Sequence, residues 1–236
     1  MFIFTDPMAK LAAPIAAVVL MAFVLGASPR AAAQDQCGVK RDKVTGTLTE
    51  ACWKKLNSIY EDVGEETYDE AYADLRRMLN RSGRDKYLSA IVNQALAQVE
   101  WARGNYDSAL TYFETAVELD ALPDHSHFAL MYQIAQLYYM KERYDEALER
   151  LELWFCEVDE EKITAHAWVL KATILVQKSD FANALTAIEQ AIAMDDDPQE
   201  QWYQVKLVAH FELKQYSEAA QTLEVMITKW PEKRQY

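Results

Sequence analysis

One eight-residue block recurs five times along the chain, and this recurrence limits the possible folds more than any other feature. Each copy starts with an aromatic residue, carries an alanine three positions later and has a large apolar residue four positions after that alanine. The alanines follow one another at spacings of 38, 38, 37 and 35 residues, at Ala71, Ala109, Ala147, Ala184 and Ala219. Self-similarity at such a period is typical of a solenoid, in which each repeat packs only against its neighbours.

The block resembles the second helix of the tetratricopeptide repeat (TPR), and the segments between blocks resemble its first helix. Leu96-Ala97 and Ile134-Ala135 stand where the TPR motif has its Leu-Gly step, and Trp168 stands at the motif's tryptophan. We therefore expect an all-α fold, a right-handed TPR superhelix (α–α solenoid) of about five helix pairs over residues 50–236. The repeats are expected near 50–81, 87–120, 127–157, 163–194 and 199–230.

Within each repeat the sequence predicts an inner helix followed by an outer one. Inner helices are expected near 50–62, 87–103, 127–141, 163–178 and 199–213. Outer helices are expected near 67–81, 107–120, 144–157, 181–194 and 217–229. The block alanine is expected where the two helices cross closely, and the aromatic residue before it is expected to plug the gap beside the crossing.

A second small residue is expected further along each outer helix. Ala116 and Ala191 supply it, but Met78, Trp154 and Met226 stand there in the other repeats. Larger side chains must open those helix pairs, so we expect the superhelical curvature to change locally.

The TPR resemblance also implies a concave groove lined by the inner helices. In the register of the motif its lining is aromatic, amide-bearing and small, with hardly a charge. Aromatic rings bury a large area at low entropic cost, and amides bond an extended backbone. The lining suits an uncharged or proline-rich peptide, or a helix of a protein partner. The candidate partner-binding residues are Trp53, Tyr60, Gln94, Gln98, Trp101, Tyr132, Gln136, Tyr139, Thr173, Gln204 and Phe211.

The first 33 residues read as a cleaved signal peptide. Lys10 precedes an apolar run over 11–25, and the small residues Ala31-Ala32-Ala33 then predict cleavage after Ala33. An apolar run of this length is short for a bilayer span, which needs about 20 residues, although an uncleaved anchor stays an alternative. We expect a periplasmic protein, with a coil over 34–49 and no integral membrane segment after cleavage.

Three cysteines follow the predicted cleavage site: Cys37, Cys52 and Cys156. Disulfides persist in oxidising compartments. A bridge between Cys37 and Cys52 would close a short loop and pin the coil to the first repeat; an unbridged pair is the alternative. Cys156 then remains as a buried thiol on an apolar helix face.

The formal net charge of −13 argues against nucleic acid or an anionic membrane as the partner. His125 and His127, beside Asp124, are expected in a loop, and nothing else in the sequence converges on them as a metal site. Nucleophile-elbow, zinc-protease, P-loop and calcium-loop motifs do not occur in the sequence. We therefore expect no enzyme activity, no cofactor and no metal.

Several stretches resemble one particular group of TPR proteins. These stretches are 37–61, 120–128, 132–155, 198–211 and 229–236, among which the AQLYY…LELWF and PQEQWY segments are the most specific. They are similar to periplasmic TPR proteins encoded beside TonB, ExbB and ExbD-type proteins in proteobacteria. The resemblance implies an accessory scaffold of a TonB-dependent uptake system. An adaptor in cell-envelope assembly, serving outer-membrane protein insertion or control of peptidoglycan synthesis, is the alternative.

The sequence stops where a sixth inner helix should begin. The last outer helix carries Leu223, Met226, Ile227 and Trp230, and Pro231 marks its end. A final repeat normally needs a polar cap. We expect either that the chain is a truncated piece of a longer array or that a partner covers this end, including a second copy in a homodimer through the C-terminal repeat.

Overall fold

Five antiparallel helix pairs follow one another along the chain. The structure of the protein is a computed structural model, and it describes residues 46–231. The inner helices are α1 (Glu50–Gly64), α3 (Lys86–Ala102), α5 (Asp124–Met140), α7 (Ala165–Gln177) and α9 (Glu200–Glu212). The outer helices are α2 (Tyr68–Ser82), α4 (Tyr106–Glu118), α6 (Tyr144–Glu157), α8 (Phe181–Ala193) and α10 (Tyr216–Lys229). Within the described range no strand occurs, and the expected all-α solenoid of five pairs is confirmed.

The block alanines lie where each outer helix meets its inner helix. Ala71, Ala109, Ala147 and Ala184 are fully buried, and Ala219 in the last repeat is 6% exposed. Since a buried methyl group leaves no space for a larger side chain, these positions fix how closely the two helices approach. Their burial agrees with the small residue that the sequence analysis expects at each helix crossing.

The turn inside each repeat has the same backbone geometry. One residue per turn has a positive φ, and the set is Glu66, Gly104, Glu142, Ser179 and Lys214. The next residue donates its N–H to a carbonyl five positions back; one example is Asn105 N–H to Glu100 O at 2.8 Å. This is the Schellman ending of a helix, which satisfies carbonyls that the last turn leaves without partners.

The apolar core links the helices from α1 to α9. One cluster joins α1–α4, a larger one joins α3–α7, and a third joins α7–α9. Ile91 and Tyr112 contact both the first and the second cluster, and Leu148 contacts both the second and the third. Each repeat thus completes its core only with its neighbours, as expected for a solenoid.

The cysteines differ from the expectation. Cys52 is a free thiol on α1, whereas Cys156 near the end of α6 is disulfide-bonded. The predicted Cys37–Cys52 bridge is therefore wrong, and so is the prediction of a buried thiol at Cys156; Cys37 itself lies outside the described residues. Closeness in sequence suggested the first pairing, but disulfides depend on which Cβ atoms the fold brings within a few ångströms.

Most of the predicted leader and coil also lies outside the described residues: 1–33 entirely, and 34–45 of the coil. Among the described helices none has the length and apolarity required to cross a bilayer.

Candidate peptide-binding groove

The predicted groove residues all lie on the five inner helices, and all of them keep part of their surface accessible. Trp53, Tyr60 and Phe211 are 55%, 44% and 60% exposed. Gln98, Gln136 and Gln204 are also exposed, and the remaining five, Gln94, Trp101, Tyr132, Tyr139 and Thr173, are half-buried. Exposed apolar side chains mark interaction sites where they form a contiguous patch. That these residues bind a partner stays a prediction.

Three aromatic pairs lie where an inner helix turns into its outer helix. Trp101 and Tyr106 meet edge to face with ring centroids 5.3 Å apart, and Phe211 and Tyr216 do so at 5.8 Å. Tyr139 and Tyr144, at the equivalent positions of the third helix pair, have tilted rings with centroids 5.9 Å apart. The pairs therefore repeat at the same end of the second, third and fifth helix pairs.

The outer-helix tyrosines of these pairs correct one expectation. Tyr106 and Tyr216 are 42% and 60% exposed, so they do not plug the gap between their helices. Each of these tyrosines follows the Schellman turn and packs against the last aromatic residue of the inner helix. The turn spacing of five residues between the two aromatic positions is the signal that could have revealed these pairs.

Trp154 creates a separate aromatic pocket on the third repeat. Its ring is tilted against that of Tyr132, with centroids 5.3 Å apart, and the chain of rings continues through Phe155 to Trp168. Beside it lies a cavity of about 350 Å³. The cavity is lined mainly by apolar and aromatic side chains: Phe128, Ala129, Tyr132, Trp154 and Val158, with His125, Lys162 and Thr164 at its polar edge.

Of the residues that line this pocket, only Tyr132 belongs to the candidate site predicted from the sequence. The sequence marks Trp154 as a large residue at a position for a small one, but it does not indicate a cavity. The large ring of Trp154 forms one wall of the cavity, and Phe128 and Val158 line it as well.

The phenols of the groove stay protonated far above neutral pH. Burial raises the pKa of Tyr60 and that of Tyr132. Burial, and then the neighbouring Tyr144, raises the pKa of Tyr139. At physiological pH these side chains are therefore neutral hydrogen-bond donors and acceptors on apolar rings.

The histidine region also differs from its expectation. Helix α5 begins at Asp124, so His125 and His127 lie in its first turn and not in a loop. His127 is buried between two carboxylates: its Nδ1 is 4.0 Å from Asp120, and its Nε2 is 4.0 Å from Glu157. Over residues 46–231 no group of three or more His, Cys, Asp or Glu side chains is arranged to hold a metal ion.

A second cavity, of about 510 Å³, lies between α6, α7 and α8. Its walls carry opposite charges, among them Glu152 and Lys171, which approach to 3.7 Å. Four carboxylates (Asp145, Glu149, Glu152 and Asp180) face two lysines (Lys171 and Lys178), so the lining carries a formal excess of negative charge.

Comparison with known families agrees with the helix pairs and their turns. Models of the tetratricopeptide repeat match residues 87–153 and 169–233, which together make up more than half of the chain. The chain belongs to the tetratricopeptide repeat family. TPR proteins are generally non-enzymatic scaffolds that bind protein or peptide partners, and this chain has the scaffold fold of that family.

Solved structures share the fold at low sequence identity. MamA from Desulfovibrio magneticus RS-1 is 15% identical with a TM-score of 0.62, and the match covers 80% of this chain and 99% of that one. A TPR protein from Parabacteroides merdae ATCC 43184 is 13% identical with a TM-score of 0.64, covering 78% and 69%. YrrB, described as a TPR protein with an unusual peptide-binding site, is 16% identical with a TM-score of 0.62, covering 76% and 86%. No curated protein matches the chain.

Proposed function

We propose that this TPR protein is a non-enzymatic, exported adaptor whose inner helices bind an extended or helical segment of a protein partner. One observation carries the proposal: all eleven groove residues predicted from the repeat register are exposed or half-buried on the inner helices. Aromatic and amide side chains at such positions form the buried anchors and backbone contacts of peptide recognition.

The lining selects the chemistry of the ligand. Its aromatic and amide side chains are neutral, and the raised pKa values of Tyr60, Tyr132 and Tyr139 keep the phenols neutral as well. A clamp for a terminal carboxylate needs cationic side chains, and none of the eleven groove residues carries a positive charge. The proposed ligand is therefore an uncharged or proline-rich internal segment of the partner.

Two observations support a periplasmic location. The sequence of residues 1–33 has the charged start, apolar run and small-residue site of a signal peptide. Cys156 is disulfide-bonded, and such bonds are rare in proteins that stay in the reducing cytosol.

The partner we propose is a component of a TonB-dependent energy-transduction and uptake system. The support is the resemblance of the stretches at 132–155 and 198–211 to periplasmic TPR proteins encoded beside TonB, ExbB and ExbD-type proteins. Deletion of the gene should impair growth on limiting chelated iron or another TonB-dependent nutrient. Unchanged growth on every such nutrient would count against this partner and leave the adaptor proposal standing.

Substitution of two aromatic groove residues tests whether the groove binds the partner. Trp101→Ala and Tyr139→Ala should each weaken binding to the captured partner by about 1–3 kcal/mol, or roughly 5- to 150-fold in Kd, if they act as hot spots. Asp196→Lys, at an exposed acidic turn, serves as the control and should change mainly the salt dependence of binding. Loss of binding in the Asp196 variant alone would move the interface to the acidic edges.

A homodimer through the C-terminal repeat is part of the same proposal. On α10 the side chains of Val225 and Ile227 are 40% and 51% exposed, whereas Trp230 packs on Tyr203 with ring centroids 5.5 Å apart. Light scattering should give the mass of two chains. Ile227→Asp should restore the mass of one chain, and a wild-type protein of monomeric mass would reject the dimer.

A further inference from the structure

The cavity of about 350 Å³ beside Trp154, which we call the Trp154 pocket, has the walls of a side-chain binding site. We propose that this pocket takes one aromatic side chain of the partner segment. This assignment rests on the proposed function, because the side chain belongs to the segment that the groove binds. It adds the chemistry of one ligand residue and the position of that residue along the solenoid.

Tyr132 lines both the groove and the Trp154 pocket. It is one of the eleven groove residues predicted from the sequence, and its ring centroid lies 5.3 Å from that of Trp154. Its hydroxyl donates a hydrogen bond to the main-chain carbonyl of His166 at 3.4 Å, which joins α5 to the next inner helix, α7. A segment that lies along the inner helices therefore reaches the pocket at the third repeat.

The polar atoms of the two largest walls are bonded within the protein. The indole Nε1–H of Trp154 donates to the main-chain carbonyl of Phe128 at 2.9 Å, and the hydroxyl of Tyr132 donates to His166. The two walls therefore present ring surface to a ligand. A polar side chain would lose its hydrogen bonds to water there, whereas an apolar side chain gains by leaving water.

The charge of the lining disfavours a cationic side chain. None of the eight residues that line the pocket is a carboxylate, and the one lysine among them, Lys162, is cationic. Its ammonium group lies 2.6 Å from Asp159 at the polar edge. A lysine or arginine side chain of a ligand would enter an apolar space without a counter-ion in the lining. The pocket therefore favours a neutral side chain.

Size and ring geometry favour an aromatic side chain among the neutral ones. Ligand pockets have volumes of about 300–1,000 Å³, so this cavity is at the small end and suits one large side chain. The rings of Tyr132 and Trp154 are inclined to each other by 47°. A third ring can meet such walls offset or edge to face, and these arrangements stabilise aromatic contacts beyond the area that they bury.

The tryptophan that forms the pocket wall belongs to the third repeat alone. The equivalent positions of the other repeats carry Met78, Ala116, Ala191 and Met226, so those repeats lack this ring. One aromatic residue of the partner is therefore placed beside Trp154, and this contact sets the position of the whole segment along the inner helices.

Titration of the full-length protein with capped amino acids, followed by NMR, tests the chemistry of the pocket. N-acetyl-phenylalaninamide should bind about tenfold more tightly than N-acetyl-alaninamide or N-acetyl-lysinamide, because its ring is buried in the pocket. Equal binding of the three compounds, or tighter binding of the lysine compound, would overturn the proposal. N-acetyl-leucinamide that bound as tightly as the phenylalanine compound would overturn the aromatic assignment.

A variant with a filled pocket tests the place of binding. Ala129 lines the cavity and is exposed on α5, so Ala129→Phe should fill the space without disturbing the fold. It should weaken binding of N-acetyl-phenylalaninamide by about tenfold or more. Ala182→Phe, at an exposed position on α8, is the matched control and should leave binding unchanged. If Ala129→Phe lowers the melting temperature, the smaller Ala129→Leu replaces it. Unchanged binding in the filled variant would overturn the site.

Two capped, uncharged nonapeptides test the pocket together with the groove. Both alternate proline and glutamine, and they differ only in the central residue, which is phenylalanine in one and alanine in the other. The phenylalanine peptide should bind about tenfold more tightly to the wild-type protein. Ala129→Phe should remove this difference, and a difference that persisted in that variant would overturn the pocket as its cause.

Trp101→Ala, in the groove but outside the pocket, separates failure of the pocket from failure of the groove. This variant should weaken the binding of both peptides by a similar factor. If it does so while the two peptides bind equally well to the wild-type protein, the pocket assignment fails and the groove stands. If it changes neither peptide while the preference for phenylalanine persists and is lost in Ala129→Phe, the pocket stands as a site and the proposed function of the groove fails.

Discussion

The indole Nε1–H of Trp154 donates a hydrogen bond to the main-chain carbonyl of Phe128, with an N···O distance of 2.9 Å. Trp154 lies in the last turn of α6 and Phe128 in the first turns of α5, so the bond fastens the two ends of the third repeat. A tryptophan buried in a core usually needs such a partner for its N–H group. Two other repeats carry alanine at this position, Ala116 and Ala191, whereas here the ring supplies a hydrogen bond and a cavity wall.

Removing the Trp154 ring should therefore destabilise the protein strongly. Trp154→Ala should lower the free energy of unfolding by about 3–5 kcal/mol, since its side chain is only 6% exposed and truncation leaves a cavity. Trp154→Phe keeps most of the apolar contact and loses the hydrogen bond, so its cost should be about 1–2 kcal/mol. Urea denaturation followed by circular dichroism measures both.

Trp53→Ala is the control for this comparison. Trp53 is 55% exposed on α1, and its loss should change the free energy of unfolding by no more than about 0.5 kcal/mol. If the Trp154→Ala protein were as stable as the Trp53→Ala protein, the Trp154 side chain would not contribute to the free energy of unfolding.

Glycine should stabilise the turns that lack it. Glu142 and Lys214 have φ values of 58° and 60°, a region that costs a residue with a Cβ about 1–2 kcal/mol. Part of this gain is offset by the greater entropy of glycine in the unfolded chain. Glu142→Gly and Lys214→Gly should each raise the free energy of unfolding by about 0.5–1 kcal/mol, as measured by urea denaturation.

The reverse exchange and an in-helix control complete this test. Gly104 has a φ of 77° and open space around its absent Cβ, so Gly104→Ala should lose about 1–2 kcal/mol through the backbone alone. Glu149→Gly inside α6 should lose about 1 kcal/mol. If Glu142→Gly were as harmful as Glu149→Gly, the left-handed turn would not be populated in solution.

The helices could be predicted from the sequence because their signal is local. The aromatic residue and alanine of each block mark the start and the crossing of an outer helix, and every observed helix boundary lies within three residues of the expected one. Four of the five left-handed turn residues could not be predicted, because only Gly104 among the five is a glycine. Glutamate, serine and lysine adopt this conformation where the Schellman hydrogen bonds of the turn outweigh its cost.

The states of the cysteines and the pocket could not be predicted because they depend on distances in the folded chain. Cys52 is a free thiol although it is nearer to Cys37 in sequence than Cys156 is, so sequence separation does not identify the disulfide-bonded residues. The pocket at Trp154 depends on the angle between α5 and α6, which a helical period does not encode.

Overpacking the helix crossing should destabilise the repeat. Ala147 is fully buried, and Ala147→Trp must force α5 and α6 apart, at a cost of about 1–3 kcal/mol or more. Ala109→Trp should behave in the same way in the second repeat. Ala182→Trp, at an exposed position on α8, is the matched control and should leave the melting temperature nearly unchanged. Unchanged melting in both core variants would refute the helix register.

Tyr138 should make stability depend on pH in the alkaline range. Burial of the ring, and then the hydrogen bond and negative charge of Glu114, raise the pKa of Tyr138 to about 12, although Arg143 and Arg150 oppose the shift. The unfolded phenol titrates near 10. Between these values the folded state holds a proton that the unfolded state has lost. The contribution of Tyr138 to stability is therefore complete below about pH 10 and is lost as the pH rises from about 10 to about 12.

Urea denaturation from pH 9 to pH 12 measures this loss. The wild-type free energy of unfolding should fall with pH across that range, and Tyr138→Phe should fall less steeply because it has no phenol to ionise. Part of the slope should persist, since burial also raises the pKa of Tyr60 and Tyr132. Glu114→Gln should shift the ultraviolet titration of Tyr138 to lower pH, because the carboxylate that disfavours the phenolate is gone. Parallel pH profiles for wild type and Tyr138→Phe would show that this phenol has the same pKa in both states.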